Sequence, residues 1–84
     1  MKEVVLITAT WCRSCHAMLE WFHSIELPGI TFKSMDAEDP ALQGESISSV
    51  PVILFRAGGE TAQTITGAMG RADLIQKINS FWPD

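Results

Sequence analysis

Eighty-four residues, 46% hydrophobic and 19% charged, suffice for one compact domain over residues 1–84 but not for two, since smaller pieces could not each bury a core. The formal net charge of -4 and the scatter of the six Lys and Arg residues leave no basic stripe for a phosphate backbone, so nucleic acid is not an expected partner. The segment Met1 to Ile7 holds one Lys and a four-residue apolar run; that is too short for a signal peptide or a membrane span, and a cytoplasmic protein without a membrane partner is expected.

In chain order, Val4-Val5-Leu6-Ile7 is continuously apolar and partly β-branched, which predicts a central strand buried on both faces. From Cys15 onward, Ala17, Met18, Trp21, Phe22 and Ile25 form a wide helical stripe, predicting a helix that starts at the cysteines and is ended by Pro28-Gly29. Ile30 to Met35 alternates and reads as a second strand, leading into the acidic Asp36-Ala37-Glu38-Asp39. Strand, helix and strand in that order fit a parallel pair.

Between Pro40 and Ser49 only Leu42 and Ile47 offer anchors, so a short helix and a loop are predicted. Val52 to Phe55 is a second apolar run, Ala57-Gly58-Gly59 marks a turn, and Thr61 to Thr66 alternates weakly, which together predict a hairpin. Leu74, Ile75, Ile78, Phe81 and Trp82 form a closing helical stripe with Asp73 in its first turn. The expected order is β-α-β-β-β-α: an α/β fold with a four-stranded mixed sheet flanked by helices.

The only two cysteines stand three apart, as Cys12-Arg13-Ser14-Cys15. A bridge across so short a loop constrains the unfolded chain very little, so its value must lie in chemistry. Between a buried strand and the first turn of a helix, Cys12 meets unpaired backbone N–H groups and the positive end of the helix dipole, and both favour a thiolate. Arg13 adds positive charge beside it. Cys15, one turn deeper, is close enough to attack a mixed disulfide formed at Cys12. Catalytic roles are therefore expected for Cys12 as nucleophile and Cys15 as resolving thiol.

These residues resemble the thioredoxin and glutaredoxin superfamily over nearly the whole chain. Trp11-Cys12-Arg13-Ser14-Cys15 is similar to the thioredoxin active site, including the tryptophan before the first cysteine. Val50-Pro51 falls where that family places a cis-proline beside the disulfide, and Gly67-Ala68 resembles the glycine bordering its substrate groove. The resemblance implies a thioredoxin-like fold of minimal, glutaredoxin-like size, as in short phage and bacterial redoxins. It also implies substrate binding by Trp11, Arg13, Val50, Pro51 and Gly67, with the Val50 backbone presented to an extended partner segment.

The activity so implied is a thiol-disulfide oxidoreductase that reduces protein disulfides, needs no bound cofactor and acts as a monomer. A ribonucleotide reductase is a natural acceptor by resemblance. Regeneration would come from a thioredoxin-reductase-like flavoprotein, which Trp11 favours, or from glutathione, which the short chain favours. A metal-binding module that uses Cys12, Cys15 and His16 or His23 is the alternative, although one Cys-X-X-Cys is only half a structural zinc site. An adaptor without redox activity is a third reading, against which the presence of both cysteines argues.

Three positions depart from the family pattern. Arg13-Ser14 replaces the usual Gly-Pro or Pro-Tyr, so the reduction potential does not transfer. Leu6 stands where thioredoxins carry a buried acid that relays protons to the second cysteine, and Glu20 stands where they often have a kinking proline. Trp21 and Trp82 read as core residues, and His23 is assigned no function.

Overall fold

A computed structural model describes residues 1–42, Ile47 and residues 49–83. Strands β1 (Lys2–Thr8), β2 (Ile30–Asp36), β3 (Val52–Ala57) and β4 (Glu60–Thr66) form one sheet in the order β2-β1-β3-β4, with helices α1 (Arg13–Phe22) and α2 (Arg71–Phe81). β1 runs parallel to β2, with Val4 opposite Phe32, and antiparallel to β3, with Leu6 opposite Ile53. The parallel pair requires a crossover, which α1 provides. The predicted element order is the observed one.

Val4, Val5, Leu6 and Ile7 are each fully buried because both faces of the sheet are covered. On one face Val4, Leu6, Ile53 and Phe55 pack with Met18 and Phe22 of α1 and with Leu74 and Ile78 of α2. On the other, Val5, Ile7, Val52 and Leu54 pack with Leu42, and with the partly buried Met35, Ala37, Ile47 and Val50. Both helices thus lie on one side, and a 3₁₀ turn at Pro40–Leu42 covers part of the other. Leu42 and Ile47 are the anchors the sequence offers there; the rest of the predicted short helix, at positions 43–46 and 48, lies outside the described residues.

α1 stops at Phe22, well before Pro28-Gly29. The carbonyl of Trp21 accepts from both the amide and the hydroxyl of Ser24, and Ile25 N–H donates to the Phe22 carbonyl, so the chain tightens into turns that end the α-helix. Ile25 still reaches the core, so the sequence stripe extends past the helix itself. The β3–β4 hairpin turns on Gly58 and Gly59 at φ +63° and +84°, the two consecutive left-handed positions that a tight two-residue connection demands.

Trp82 closes one end of the helical face. Its ring lies 5.4 Å from Phe55 and 5.1 Å from Phe81, and the ammonium of Lys2 stands 5.7 Å above it. Trp21 also packs against this core, as expected of both tryptophans. The Nε2 atom of His23 shares a 3.1 Å hydrogen bond with Ser34 Oγ, linking the end of α1 to β2.

Candidate functional site

The site sits where β1 gives way to α1. After Thr8 the chain turns, with Cys12 N–H donating to the Ala9 carbonyl at 3.1 Å. Cys12 then adopts an extended conformation (φ -92°, ψ 106°) as the N-cap of α1. Its carbonyl accepts the first helical bond from His16 N–H at 3.3 Å, and its Sγ accepts from the backbone amide of Cys15 at 3.1 Å. A cysteine therefore occupies the position usually filled by Ser, Thr, Asp or Asn, and its sulfur takes up one of the amides that helix geometry leaves unpaired.

Cys12 and Cys15 are joined in a disulfide, with a Cα separation of 5.3 Å that falls within the usual range for such bonds. Cys15 is fully buried, and Cys12 retains only 6% of its surface. Although it stands at the mouth of the helix, Cys12 is covered in the disulfide form, in a cluster with Ala9, Cys15 and the partly buried Val50. Both residues are buried, Cys15 completely and Cys12 almost so.

Of the remaining predicted site residues, Val50 is the one that packs against the cluster holding this pair. The Val50–Pro51 peptide is cis, and Pro51 is buried. The Pro51 carbonyl accepts from Gly67 N–H at 3.0 Å, which ties the end of β4 to the segment beside the disulfide. Gly67 has φ +99°, and a Cβ built on it would meet nothing within 4 Å, so backbone conformation rather than crowding favours glycine there.

Trp11 is 79% exposed, an unusual setting for so large an apolar side chain. It lines a cleft of about 220 Å³ with Ala9, Thr10, Asp36, Ala37 and Glu38. Arg13 and His16 are exposed on the first turn of α1.

Two features bear on proton and electron chemistry. No polar or charged residue is buried among the described residues, and Leu6 is itself a fully buried member of the apolar core. Ser14, which with Arg13 replaces the family's usual dipeptide, has its Oγ 3.5 Å from Cys12 Sγ, within hydrogen-bond range for sulfur. The available signal was its hydroxyl two positions after the N-cap, in the turn that wraps the sulfur. Among the described residues, no group of three or more His, Cys, Asp and Glu side chains is placed to hold a metal ion.

The thioredoxin family model matches residues 1–80. No curated protein gives a significant match in sequence. Among solved structures, a single-site mutant of a thioredoxin from Halobacterium salinarum superposes with a TM-score of 0.81 at 18% identity, covering 94% of this chain and 73% of that one. A thioredoxin from Trichomonas vaginalis superposes with a TM-score of 0.75 at 26% identity, covering 95% of this chain and 78% of that one. With a family match along nearly its whole length, the same fold, and a Cys-X-X-Cys disulfide capping a helix, the chain belongs to the thioredoxin family and is a thiol-disulfide oxidoreductase.

Proposed function

We propose that the chain is a protein-disulfide reductase that works through the Cys12–Cys15 pair. The Cys12 thiolate attacks one sulfur of a substrate disulfide, forming a mixed disulfide and releasing the first substrate thiolate. Cys15 loses its proton, its thiolate attacks Cys12 Sγ, and the second substrate thiolate departs as the Cys12–Cys15 disulfide closes. Two electrons pass to the substrate and the two released thiolates take up protons. With no ionisable side chain buried beside it among the described residues, Cys15 gives its proton to water.

The observation that carries this reading is the 3.1 Å hydrogen bond from Cys15 N–H to Cys12 Sγ. Once the disulfide is reduced, the same amide and the positive end of α1 face the Cys12 sulfur and favour its charged, nucleophilic form. The buried Cys15 lies deeper, on the first turn of α1.

Substrate binding is assigned to Trp11, Arg13, Val50, Pro51 and Gly67. Trp11 offers an exposed ring beside the attacking residue, and Arg13 offers positive charge. The Val50–Pro51 segment, packed on the cysteines through Val50 and held to Gly67 through the Pro51 carbonyl, offers backbone to an extended substrate segment. The substrates are protein disulfides, a ribonucleotide reductase among them by family resemblance. Regeneration is assigned to a thioredoxin-reductase-like flavoprotein, with the chain acting as a cytoplasmic monomer that needs no bound cofactor. No helix among the described residues is long and apolar enough to cross a membrane.

The test is insulin disulfide reduction in two arms, one driven by NADPH with a thioredoxin reductase and the other by glutathione with glutathione reductase. Turnover in the first arm supports the full reading. Turnover confined to the second assigns regeneration to glutathione. Absence of turnover in both, with a disulfide that dithiothreitol also fails to recycle, overturns the reductase assignment.

A further inference from the structure

Within the reductase reading, on which this inference rests, the disulfide has a neighbouring cavity that the exchange chemistry does not use. The cleft of about 220 Å³ is lined by Ala9, Thr10, Trp11, Asp36, Ala37 and Glu38. Ala9 also packs with Cys12, so a single residue forms part of the cleft wall and part of the cluster around the disulfide. A side chain seated in the cleft therefore comes from a substrate residue close to the bond under attack.

Two groups give the cleft its chemistry. The Trp11 ring is 79% exposed, and indole offers a cation the best of the aromatic faces. Glu38 is exposed, and among the described residues its carboxylate has no cation beside it, the ion pair that does form being Lys33 with Glu3. The turn that carries Glu38 is already fixed. Asp36 Oδ1 accepts from Glu38 N–H at 2.8 Å, the Asp36 carbonyl accepts from Asp39 N–H at 2.9 Å, and Ala37 N–H donates to the Thr8 carbonyl at 2.8 Å. The backbone under the carboxylate is thus set before a partner arrives, which lowers the ordering cost of binding.

We propose that this cleft receives a basic side chain, arginine in preference to lysine, from the segment flanking the substrate's disulfide, its cation resting on Trp11 and pairing with Glu38. A guanidinium is planar and weakly hydrated, so it stacks on an aromatic face and meets a carboxylate through a fork of N–H groups; an ammonium is a compact, strongly hydrated charge. An acidic flanking residue meets the like charges of Asp36 and Glu38 and is disfavoured. Arg13 stands on the first turn of α1 and is not part of the lining, so the cleft keeps its negative charge. Glu38 is thereby a specificity-determining residue: exchange at Cys12 proceeds without it, and it selects among the disulfides presented.

The experiment uses the pre-reduced protein and symmetrical peptide disulfides of the form X-Ala-Cys-Ala-X, with X as arginine, lysine, citrulline or glutamate. Each turnover converts one peptide disulfide to two peptide thiols and closes Cys12–Cys15. Citrulline keeps the shape of arginine without its charge, so the arginine to citrulline ratio of second-order rate constants reads the cleft. With an exposed cation–π contact and an exposed ion pair, that ratio is expected to be about threefold to tenfold in wild type, with lysine between and glutamate lowest. It should shrink at 1 M salt. Glu38→Gln should bring the ratio close to one while leaving the citrulline rate unchanged, and Glu60→Gln, which removes one exposed charge at the β3–β4 turn, should leave the ratio intact. Equal wild-type rates for arginine and citrulline would overturn the proposal. So would a ratio that Glu38→Gln leaves intact, or one that both variants lower equally, which would mark the net charge of the whole chain. Failure of the reductase reading looks different: wild type would then reduce none of the peptides.

Discussion

Cys15 N–H donates to Cys12 Sγ at 3.1 Å, so the side chain that opens α1 and the outer sulfur of the disulfide are one and the same. Helix stability and thiol chemistry draw on a single interaction: an amide that must be satisfied at any helix N-terminus is satisfied here by sulfur. The proposed nucleophile is therefore fixed by the geometry that starts the helix.

That coupling makes the two smallest substitutions at position 12 differ in stability while agreeing in activity. Under reducing conditions Cys12→Ser supplies a better capping acceptor and should unfold in urea near the wild-type midpoint. Cys12→Ala should be less stable by about 1 kcal/mol, the usual cost of a lost N-cap. Neither should reduce insulin, and Cys15→Ser should accumulate a mixed disulfide at Cys12 that is visible by mass spectrometry. Equal residual turnover in Cys12→Ser and Cys15→Ser would refute the division of roles.

Leu6 offers a second test. It stands where thioredoxins carry a buried acid, yet here it is fully buried in an apolar cluster with no buried polar neighbour among the described residues. Leu6→Asp should therefore lower unfolding stability by several kcal/mol, from the lost apolar burial and the desolvated carboxyl together. A domain of this size has only about 4 to 13 kcal/mol in total. Urea denaturation checks this; a variant as stable as wild type would mean that the core admits water at Leu6.

Trp11 should behave in the opposite way. At 79% exposure it contributes little to the core, so Trp11→Ala should stay within about 0.5 kcal/mol of wild type in stability. If its ring contacts protein substrates, insulin reduction should show a KM raised several-fold with a smaller change in kcat. An unchanged KM would remove Trp11 from the binding surface.

Much of this architecture is legible in the sequence because it follows from local pattern. Four consecutive apolar residues at Val4–Ile7 mark a strand buried on two faces, Gly58-Gly59 marks the hairpin, and Cys12-X-X-Cys15 between a strand and a helix marks the disulfide. Long-range geometry is less legible. The stripes on α1 and α2 show that each helix buries one side, but nothing in either stripe says that both cover the same face of the sheet.

The stop at Phe22 depends on the Ser24 hydroxyl reaching back to Trp21, which competes with a hydrophobic stripe that continues to Ile25. The cover over Cys12 likewise comes from Val50, 38 positions away in sequence, and no periodicity foretells it. Ser14 is legible in the sequence as half of the dipeptide that departs from the family pattern, but its 3.5 Å distance to sulfur is not.

The central claim is that the N-terminus of α1 keeps the Cys12 sulfur ionised in the reduced protein. The most direct measurement is a pH titration of thiolate absorbance in reduced wild type, with Cys15→Ser used to isolate the signal of Cys12. Ionisation well below the range of an ordinary cysteine thiol is the predicted result. Ionisation at or above that range would contradict the account, even with the fold and the disulfide unchanged.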